Sequence, residues 1–248
     1  MRGLKGKVAI VTGGLGDLGY ASASRLIEEG CRVAIFDNRD DADGAAAKIG
    51  AASHRVDITD EDSVEHACGQ AEVEMGPVGI LVNAAAIFLC EGVDATPDQW
   101  QSMLQVNVMG TSLVTKHIVP QMRRLGGGSI VNFSSISGFV GQGRFATYNA
   151  TKFAVRGLTK CWAQDLAPER IRVNSICPGY VVSRSFEGVC DRFDLDYEEE
   201  KRKALGIQLL PDLPGPEGVA AGVAFLASDD AAIMTGSDLV VDAGYLAK

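Results

Sequence analysis

The sequence has 248 residues, 46% of them hydrophobic and 22% charged, a composition typical of a soluble globular α/β protein, and the length fits one domain spanning 1–248. Its formal net charge of −9 at pH 7 disfavours nucleic acid and anionic membrane surfaces as partners, because it would repel their phosphates. No apolar run approaches the roughly 18 residues of a membrane span, and the N-terminal apolar stretch is too short for a secretion signal, so we expect a cytoplasmic protein.

The cysteine and histidine pattern disfavours a metal site and a disulfide framework. Six cysteines are scattered without a Cys-x-x-Cys pair, and the three histidines do not cluster with them. We therefore expect no bound metal. Cys31, Cys161 and Cys177 each lie among apolar residues, which favours packing in the core.

The first segment has the pattern of a dinucleotide-binding unit. An apolar run at 8–11 predicts a strand, the glycine-rich run 13–19 follows it, and a helical pattern continues to Glu29. Glycines at this turn let the backbone approach a pyrophosphate, and the free N–H groups at the start of the helix can then bind it.

An acidic residue follows at the distance expected for ribose recognition. Asp37 lies eighteen residues after Gly19 and ends a second predicted strand at 32–36. A carboxylate there accepts hydrogen bonds from ribose hydroxyls and repels a 2′-phosphate, which favours NAD over NADP. Arg39 argues in the other direction, because a cation would accommodate that phosphate.

The middle of the chain continues to alternate strands with helices. The sequence predicts a third strand at 53–57, a helix at 60–75, a fourth strand at 79–82 and a long helix at 97–124. Thr96 is a suitable N-cap for that last helix, and Pro97 suits its first turn.

The segment 129–152 carries the residues with the most specific chemistry. It begins as an apolar strand, passes through a serine-rich loop and enters a predicted helix in which Tyr148 and Lys152 lie on one face. A cation about 5 Å from a phenol, at an effective dielectric of about 20, favours the phenolate by roughly 3 kcal/mol. We therefore expect Lys152 to lower the pKa of Tyr148. Ser135 or Ser134 is expected to supply the hydroxyl that holds a substrate oxygen.

The C-terminal third completes the alternation. A strand is predicted at 171–176, a helix at 217–227 and a last strand at 238–241. Segment 184–214, rich in charge with aromatic residues interleaved, is interpreted as a substrate lid, or else as a solvated helix face. The spacing predicts an α/β fold, a single-domain Rossmann-like doubly wound parallel sheet of about seven strands flanked by helices, with the ligand at the carboxyl ends of the strands.

In order and spacing, these motifs resemble those of the short-chain dehydrogenase/reductase family. They are the glycine loop, NAAA after the fourth strand, Asn107 in QVNVMG, the serine strand, Tyr148 with Lys152, and Pro178-Gly179. The resemblance implies a homotetrameric oxidoreductase that interconverts a small secondary alcohol and a ketone by hydride transfer with a nicotinamide cofactor. It implies that Tyr148 is the acid/base, that Lys152 lowers its pKa and holds the nicotinamide ribose, that Ser135 orients the substrate oxygen, and that Asn107 interrupts the long helix and anchors a water of a proton relay.

The resemblance also assigns cofactor contacts to the turns between elements. Asp57 and Ile58 are implied to contact the adenine, and the Val181 backbone and the Ser183 hydroxyl to contact the carboxamide. The complete set of expected cofactor-binding residues is Gly13, Gly16, Asp17, Leu18, Gly19, Asp37, Asp57, Ile58, Asn83, Ala84, Ala85, Tyr148, Lys152, Pro178, Gly179, Val181 and Ser183.

The glycine loop departs from the family pattern T-G-x-x-x-G-x-G, because Asp17 stands where the middle glycine belongs. A carboxylate aimed at the pyrophosphate would repel it, whereas one that caps the helix would stabilise the helix. We therefore expect Asp17 to be the N-cap of the first helix and Asp17→Gly not to weaken NAD binding.

Substrate contacts are expected from a mostly apolar set with one cation: Ile87, Phe88, Val140, Gln142, Arg144, Tyr180 and Phe186. This set leaves a hydrophobic ketone, a polyol or a hydroxy acid open as substrate, and Arg144 is favoured as a surface residue. Two other functions compete with a dehydrogenase. A non-catalytic nicotinamide-binding sensor would not need the intact Asn, Ser, Tyr and Lys set, and a sugar-nucleotide epimerase is expected to need a larger C-terminal substrate domain.

Overall fold

The strands form one parallel sheet in the computed structural model, which describes residues 1–42 and 44–248. Seven strands are present there: β1 (Val8–Thr12), β2 (Arg32–Asp37), β3 (Ala52–Arg55), β4 (Ile80–Asn83), β5 (Gly128–Phe133), β6 (Ile171–Pro178) and β7 (Asp238–Val241). Their order is β3-β2-β1-β4-β5-β6-β7, and every neighbouring pair is parallel. The order changes direction between β1 and β4, which makes the sheet doubly wound, as predicted.

Helices connect the strands and cover both faces of the sheet. They are α1 (Asp17–Glu28), α2 (Ala45–Lys48), α3 (Glu61–Met75), α4 (Pro97–Leu104), α5 (Thr111–Arg124), α6 (Ala146–Leu166), α7 (Arg184–Arg192), α8 (Tyr197–Gly206) and α9 (Pro216–Ala227). The predicted lid segment 184–214 therefore contains two helices, α7 and α8.

Alternate residues of the central strands enter two hydrophobic layers. Ile10 and Leu81 pack in a layer that includes side chains of α3, α5 and α6. Val11 and Val82 pack in a second layer with side chains of α1 and α9. Because both faces are covered, β1 and β4 have continuous apolar runs, at 8–11 and 80–82, rather than apolar residues at every second position. This rigid sheet holds the turns at its carboxyl edge in place.

The long helix predicted at 97–124 is interrupted. α4 begins with a capping box, in which Thr96 and Gln99 exchange side-chain and backbone hydrogen bonds. A π-helical segment, Gln105–Gly110, then separates α4 from α5 and contains Asn107. The interruption implied by the family resemblance is therefore present, and π-helical turns are common at functional sites.

Two sequence-based expectations on the fold need correction. β3 ends at Arg55 rather than at 57, so Asp57 and Ile58 lie in the turn beyond it. Cys161 is exposed, whereas Cys31 and Cys177 are buried. Cys161 is on the outer side of α6, where flanking apolar residues were a misleading sign of burial.

Within the described ranges, no helix is both long enough and apolar enough to cross a membrane. The same residues contain no group of three or more His, Cys, Asp or Glu side chains arranged to hold a metal ion.

Candidate active site

A cavity of about 710 Å³ opens along the carboxyl edge of the sheet. Ser135, Tyr148 and Lys152 line it, together with six of the seven expected substrate residues: Ile87, Phe88, Gln142, Arg144, Tyr180 and Phe186. Every expected cofactor-binding residue except Asn83 lines it as well. The sheet therefore brings turns that are far apart in sequence to one cleft. Asn107 and Val140 lie outside this cavity wall.

The turn after β1 is shaped for close backbone approach. Gly13 has a φ of 63°, and a Cβ there would lie 2.7 Å from Ala85 Cα. A Cβ at Gly19 would overlap the carbonyl oxygen of Gly13. The Thr12 hydroxyl oxygen accepts hydrogen bonds from the backbone N–H groups of Ala84 and Ala85, both at 3.1 Å. The glycine loop and the turn after β4 are thus held together beside the start of α1, in a cradle that fits a dinucleotide diphosphate.

Asp17 does not cap α1. The N-cap is Gly16, which provides no side-chain cap, and Asp17 is the first helical residue. Its carboxylate instead accepts hydrogen bonds from the backbone N and the Nε of Arg184, each at 2.6 Å. The capping hypothesis is therefore wrong, because a partner on α7 occupies the carboxylate.

Asp37 is buried at the end of β2 and is held as a carboxylate. It accepts hydrogen bonds from Leu15 N at 3.0 Å, from Arg39 N at 3.1 Å and from Arg39 Nε at 3.0 Å. Burial raises the pKa of Asp37, but the hydrogen bonds from Arg39 and Leu15 outweigh it and bring the pKa below its ordinary value. A charged carboxylate at this place fits ribose hydroxyls, and Arg39 is engaged in pairing with it.

The turns after β3 and β4 differ in how they meet the cavity, and only Asn83 departs from expectation. Asp57 lines the cavity, and its carboxylate accepts hydrogen bonds from the N–H and the hydroxyl of Thr59 at 2.9 and 2.7 Å. The Asn83 side chain is turned into the protein, where Nδ2 donates to Thr115 Oγ1 and Asn132 Oδ1 at 3.1 and 2.9 Å. Asn83 therefore supports the sheet, and its neighbours Ala84 and Ala85 reach the cavity in its place.

The two serines after β5 have different partners. Ser134 Oγ donates to the carbonyl oxygen of Lys152 at 3.0 Å, which joins the loop to α6. Ser135 Oγ accepts from Ser137 N at 3.1 Å, so its own proton is available to an acceptor in the cavity, such as the Tyr148 phenol oxygen. The structure thus favours Ser135 over Ser134 as the hydroxyl that faces a substrate.

Tyr148 and Lys152 share the cavity-facing side of α6. Lys152 Nζ lies 5.4 Å from the centroid of the Tyr148 ring and donates to the carbonyl oxygen of Phe133 at 2.8 Å. Burial lowers the pKa of Lys152 to about 8. Burial also raises the pKa of the Tyr148 phenol, and the nearby Ser135 hydroxyl opposes this rise only in part.

In the protein without cofactor, burial dominates the Tyr148 pKa, and the expectation that Lys152 lowers it stays a prediction. The spacing on the helix is as predicted, but removing both groups from water disfavours both charged forms. Tyr148 consequently holds its proton at neutral pH.

Asn107 acts through its neighbours rather than at the cavity wall. Its Oδ1 accepts from Ile87 N at 2.8 Å, and its Nδ2 donates to Ile87 O at 3.0 Å and to Thr151 Oγ1 at 3.1 Å. Thr151 precedes Lys152 on α6. Asn107 thus joins the turn after β4 to the helix that carries Tyr148 and Lys152, which makes it a positioning residue by geometry.

Aromatic rings form much of the wall beyond Tyr148. Phe88 meets Tyr148 edge to face, with ring centroids 4.2 Å apart, and Tyr180 and Phe186 meet at 6.3 Å. The Arg144 guanidinium lies 4.4 Å from the ring centroid of Phe193, a lid residue. Arg144 is exposed, as favoured from the sequence, and still contributes to the rim.

The turn after β6 closes the cavity beside these rings. Pro178, Gly179 and Val181 line it. A Cβ at Gly179 would lie 2.8 Å from Asp242 Cα, so glycine is needed where this turn passes the end of β7. Ser183 is the N-cap of α7 and accepts from Phe186 N at 3.3 Å, which leaves its hydroxyl proton available to the cavity.

Comparison with known proteins gives consistent matches over the whole chain. A family model described as enoyl-(acyl carrier protein) reductase matches residues 15–246. Cis-4-hydroxycyclohexanecarboxylate dehydrogenase of Sinomonas cyclohexanicum is 37% identical over 97% of each chain, and cyclopentanol dehydrogenase of Comamonas sp. is 37% identical over 98% of each. An NADP-dependent (R)-specific alcohol dehydrogenase of Lentilactobacillus kefiri is 35% identical over 99% of this chain and 98% of its own. The ligand-free structure of Thermoplasma acidophilum aldohexose dehydrogenase superposes with a TM-score of 0.92 at 30% identity, covering 99% of this chain and 96% of that one.

The chain belongs to the short-chain dehydrogenase/reductase family. It is an oxidoreductase of the type that acts on CH–OH groups and interconverts alcohols and ketones, and its cofactor is a nicotinamide dinucleotide. These matches confirm the family, the fold class and the reaction class that the motifs predicted.

Several cavity residues of this short-chain dehydrogenase were not foreseen from its sequence. Most lie in the lid or next to a predicted residue, and they include Asn38, Thr59, Ser137, Phe145, Arg184, Val189, Cys190, Phe193, Leu195 and Glu200. The lid departs most from the family pattern, so only its interleaved aromatic residues signalled a role in the cavity. Nothing in the sequence indicated the contact between Arg184 and Asp17.

Proposed function

We propose that this short-chain dehydrogenase oxidises a hydrophobic, cyclic secondary alcohol to its ketone with NAD, and catalyses the reverse reduction, at the cavity lined by Ser135, Tyr148 and Lys152. The observation that carries the proposal is the convergence of these three side chains on one wall, next to the glycine cradle. When bound, the nicotinamide supplies the hydride acceptor or donor.

Each side chain has a distinct role in the proposal. The Ser135 hydroxyl donates a hydrogen bond to the substrate oxygen and so orients the substrate. Tyr148 moves the reacting proton between its phenol oxygen and that same oxygen. Lys152 holds a positive charge on the same face of α6 and binds the nicotinamide ribose. Asn107 holds the turn at Ile87 against helix α6 and, in the proposal, supports the proton relay to Lys152.

The preference for NAD rests on Asp37. Its hydrogen bonds from Arg39 and Leu15 hold it ionised at the end of β2, where a 2′-phosphate would be repelled. Arg39 is occupied by this ion pair, which weakens the argument for NADP. One relative is named as NADP-dependent, so the test compares both cofactors directly.

The choice of a cyclic substrate rests on the aromatic wall. Phe88 stands edge to face with Tyr148, the proposed acid/base, and Tyr180 and Phe186 form a second edge-to-face pair that lines the same cavity. Flat, rigid walls favour a ring over a polar chain. Relatives named for cyclopentanol and for hydroxycyclohexanecarboxylate support the same choice.

Initial rates with cyclopentanol, cyclohexanol, 2-propanol and a polyol, each with NAD and with NADP, test the proposal. We expect the cyclic alcohols with NAD to give the highest kcat/KM. Tyr148→Phe should abolish turnover and retain NADH binding, measured by fluorescence titration. Undiminished turnover in Tyr148→Phe would refute the proposed acid/base. NADH binding by the wild type without turnover of any alcohol or ketone would favour the non-catalytic alternative.

The proposal extends to one domain, a lid at 184–214, a homotetramer and a cytoplasmic location. An apolar depression lies between α4, α5 and α6, and Leu104 and Met109, which line it, are 44% and 42% exposed. Phe153, also on α6, is 46% exposed. Exposed apolar residues on adjacent helices favour association with another copy. Light scattering coupled to gel filtration measures the assembly, and a monomer would remove this part of the proposal.

A further inference from the structure

Asp17 and Arg184 connect the glycine loop to the lid. Besides its two hydrogen bonds to the Asp17 carboxylate, Arg184 donates from Nη2 to the carbonyl oxygen of Leu15 at 3.1 Å. Both charged side chains line the cavity. The opposite end of α7 is also held by an ion pair, between Arg192 and Glu91. The helix is therefore fastened at the dinucleotide end and at the substrate end of the cleft.

A carboxylate at position 17 creates an electrostatic difficulty for a dinucleotide. It lies in the first turn of α1, at the helix end whose free N–H groups suit a diphosphate. An unpaired carboxylate there would repel the diphosphate. Arg184 supplies the compensating charge, and its guanidinium has five donor hydrogens, more than the contacts to Asp17 and Leu15 use.

We infer that Arg184 is a cofactor-binding residue of this chain. The Arg184 guanidinium cancels the charge of the Asp17 carboxylate, and together the two side chains form a charge-balanced site for the cofactor diphosphate that spans the glycine loop and the lid. The inference rests on the proposed function, since it concerns the same dinucleotide cleft. In this arrangement the diphosphate site is complete only when α7 lies against the glycine loop.

A charge cycle at the two positions tests this inference by calorimetric titration with ADP-ribose, which carries the diphosphate without the nicotinamide. A unit charge beside a diphosphate in a water-filled cleft changes affinity by about tenfold. Arg184→Gln should therefore raise the Kd for ADP-ribose about tenfold, and Asp17→Asn should lower it about tenfold. The double variant should return to within about twofold of the wild type, because its net charge at the site is again zero. All differences should shrink in high salt.

Three controls separate this electrostatic role from a structural one. Arg202→Gln makes the same charge change on α8, at an exposed residue outside the cavity, and should leave the Kd for ADP-ribose within about twofold. Arg184→Lys keeps the charge and should restore most of the affinity that Arg184→Gln loses. Adenosine, which lacks the diphosphate, should bind all variants alike. Circular dichroism confirms that each variant is folded.

The outcomes are distinguishable. An unchanged Kd in Arg184→Gln, or a double variant as weak as Arg184→Gln, would overturn the inference and leave the proposed dehydrogenase intact. Equal weakening of adenosine would also overturn it, because the effect would then lie outside the diphosphate site. Failure of the wild type to bind either NADH or ADP-ribose would instead refute the proposed function.

Discussion

Ser135→Ala tests the candidate active site most directly. The Ser135 oxygen already accepts a hydrogen bond from Ser137 N, so the hydroxyl is oriented with its proton directed to another acceptor. Removing one preorganised donor to an oxygen that gains negative charge lowers kcat by about 10²–10³-fold. We therefore expect a kcat loss of about that size, with the Kd for NADH within about twofold of the wild type.

Ser134→Ala is the matched control, one residue away on the same loop. Ser134 is buried and donates to Lys152 O, so its loss should cost about 1 kcal/mol of unfolding free energy and change kcat by no more than about threefold. Initial-rate kinetics, NADH titration and thermal denaturation measure the three quantities for both variants. A larger kcat loss in Ser134→Ala than in Ser135→Ala would show that the wrong serine has been assigned to the substrate.

Three further predictions follow from the same geometry. The pKa of Lys152 is about 8 in the folded protein against 10.5 for a free lysine, so the unfolded chain binds more protons than the folded one between these two pH values. The unfolding free energy of the wild type, measured in denaturant without nucleotide and compared with that of Lys152→Met, should therefore rise by about 2 kcal/mol from pH 8 to 10. A difference that does not change with pH would contradict the lowered pKa. Asp37→Ser should weaken NADH binding about tenfold and tighten NADPH binding, because Arg39 is released toward the 2′-phosphate; unchanged Kd values would exclude Asp37 from cofactor selection. Phe88→Ala should lower kcat/KM for cyclohexanol relative to 2-propanol about tenfold, with Phe88→Leu intermediate, and an unchanged ratio would remove Phe88 from the substrate wall.

The doubly wound parallel sheet was predictable because it depends on local patterns. Short apolar runs separated by helical periodicity leave few arrangements other than a doubly wound parallel sheet. That sheet places the turns after successive strands at one edge, so Asp37, Ser135 and Ser183 were expected in one cleft although they come from distant parts of the chain. Their common cavity follows from topology rather than from any contact between them.

The direction in which a particular side chain points was harder to predict from the sequence. Asn83 belongs to a recognisable motif, but β4 turns its amide into the sheet toward Asn132, and the cavity receives only the alanines that follow. Asp17 had a plausible local partner in the backbone of α1, yet its actual partner is Arg184, 167 residues away. An ion pair between residues so far apart in sequence depends on where the lid packs against the rest of the protein, and the hydrophobic periodicity of the sequence does not determine that position.

For the Tyr148–Lys152 pair, spacing in the sequence determines how close the two side chains lie, whereas burial determines their pKa values. Four residues on a helix place the two groups together, and that proximity favours the phenolate only while Lys152 is charged. Lys152 is 3% exposed, and burial moves both pKa values in the direction of the neutral forms. At neutral pH the site therefore holds a phenol proton ready for a ketone oxygen. Oxidation of an alcohol requires that proton to leave first, so the oxidative rate should increase toward alkaline pH while reduction is favoured near neutrality.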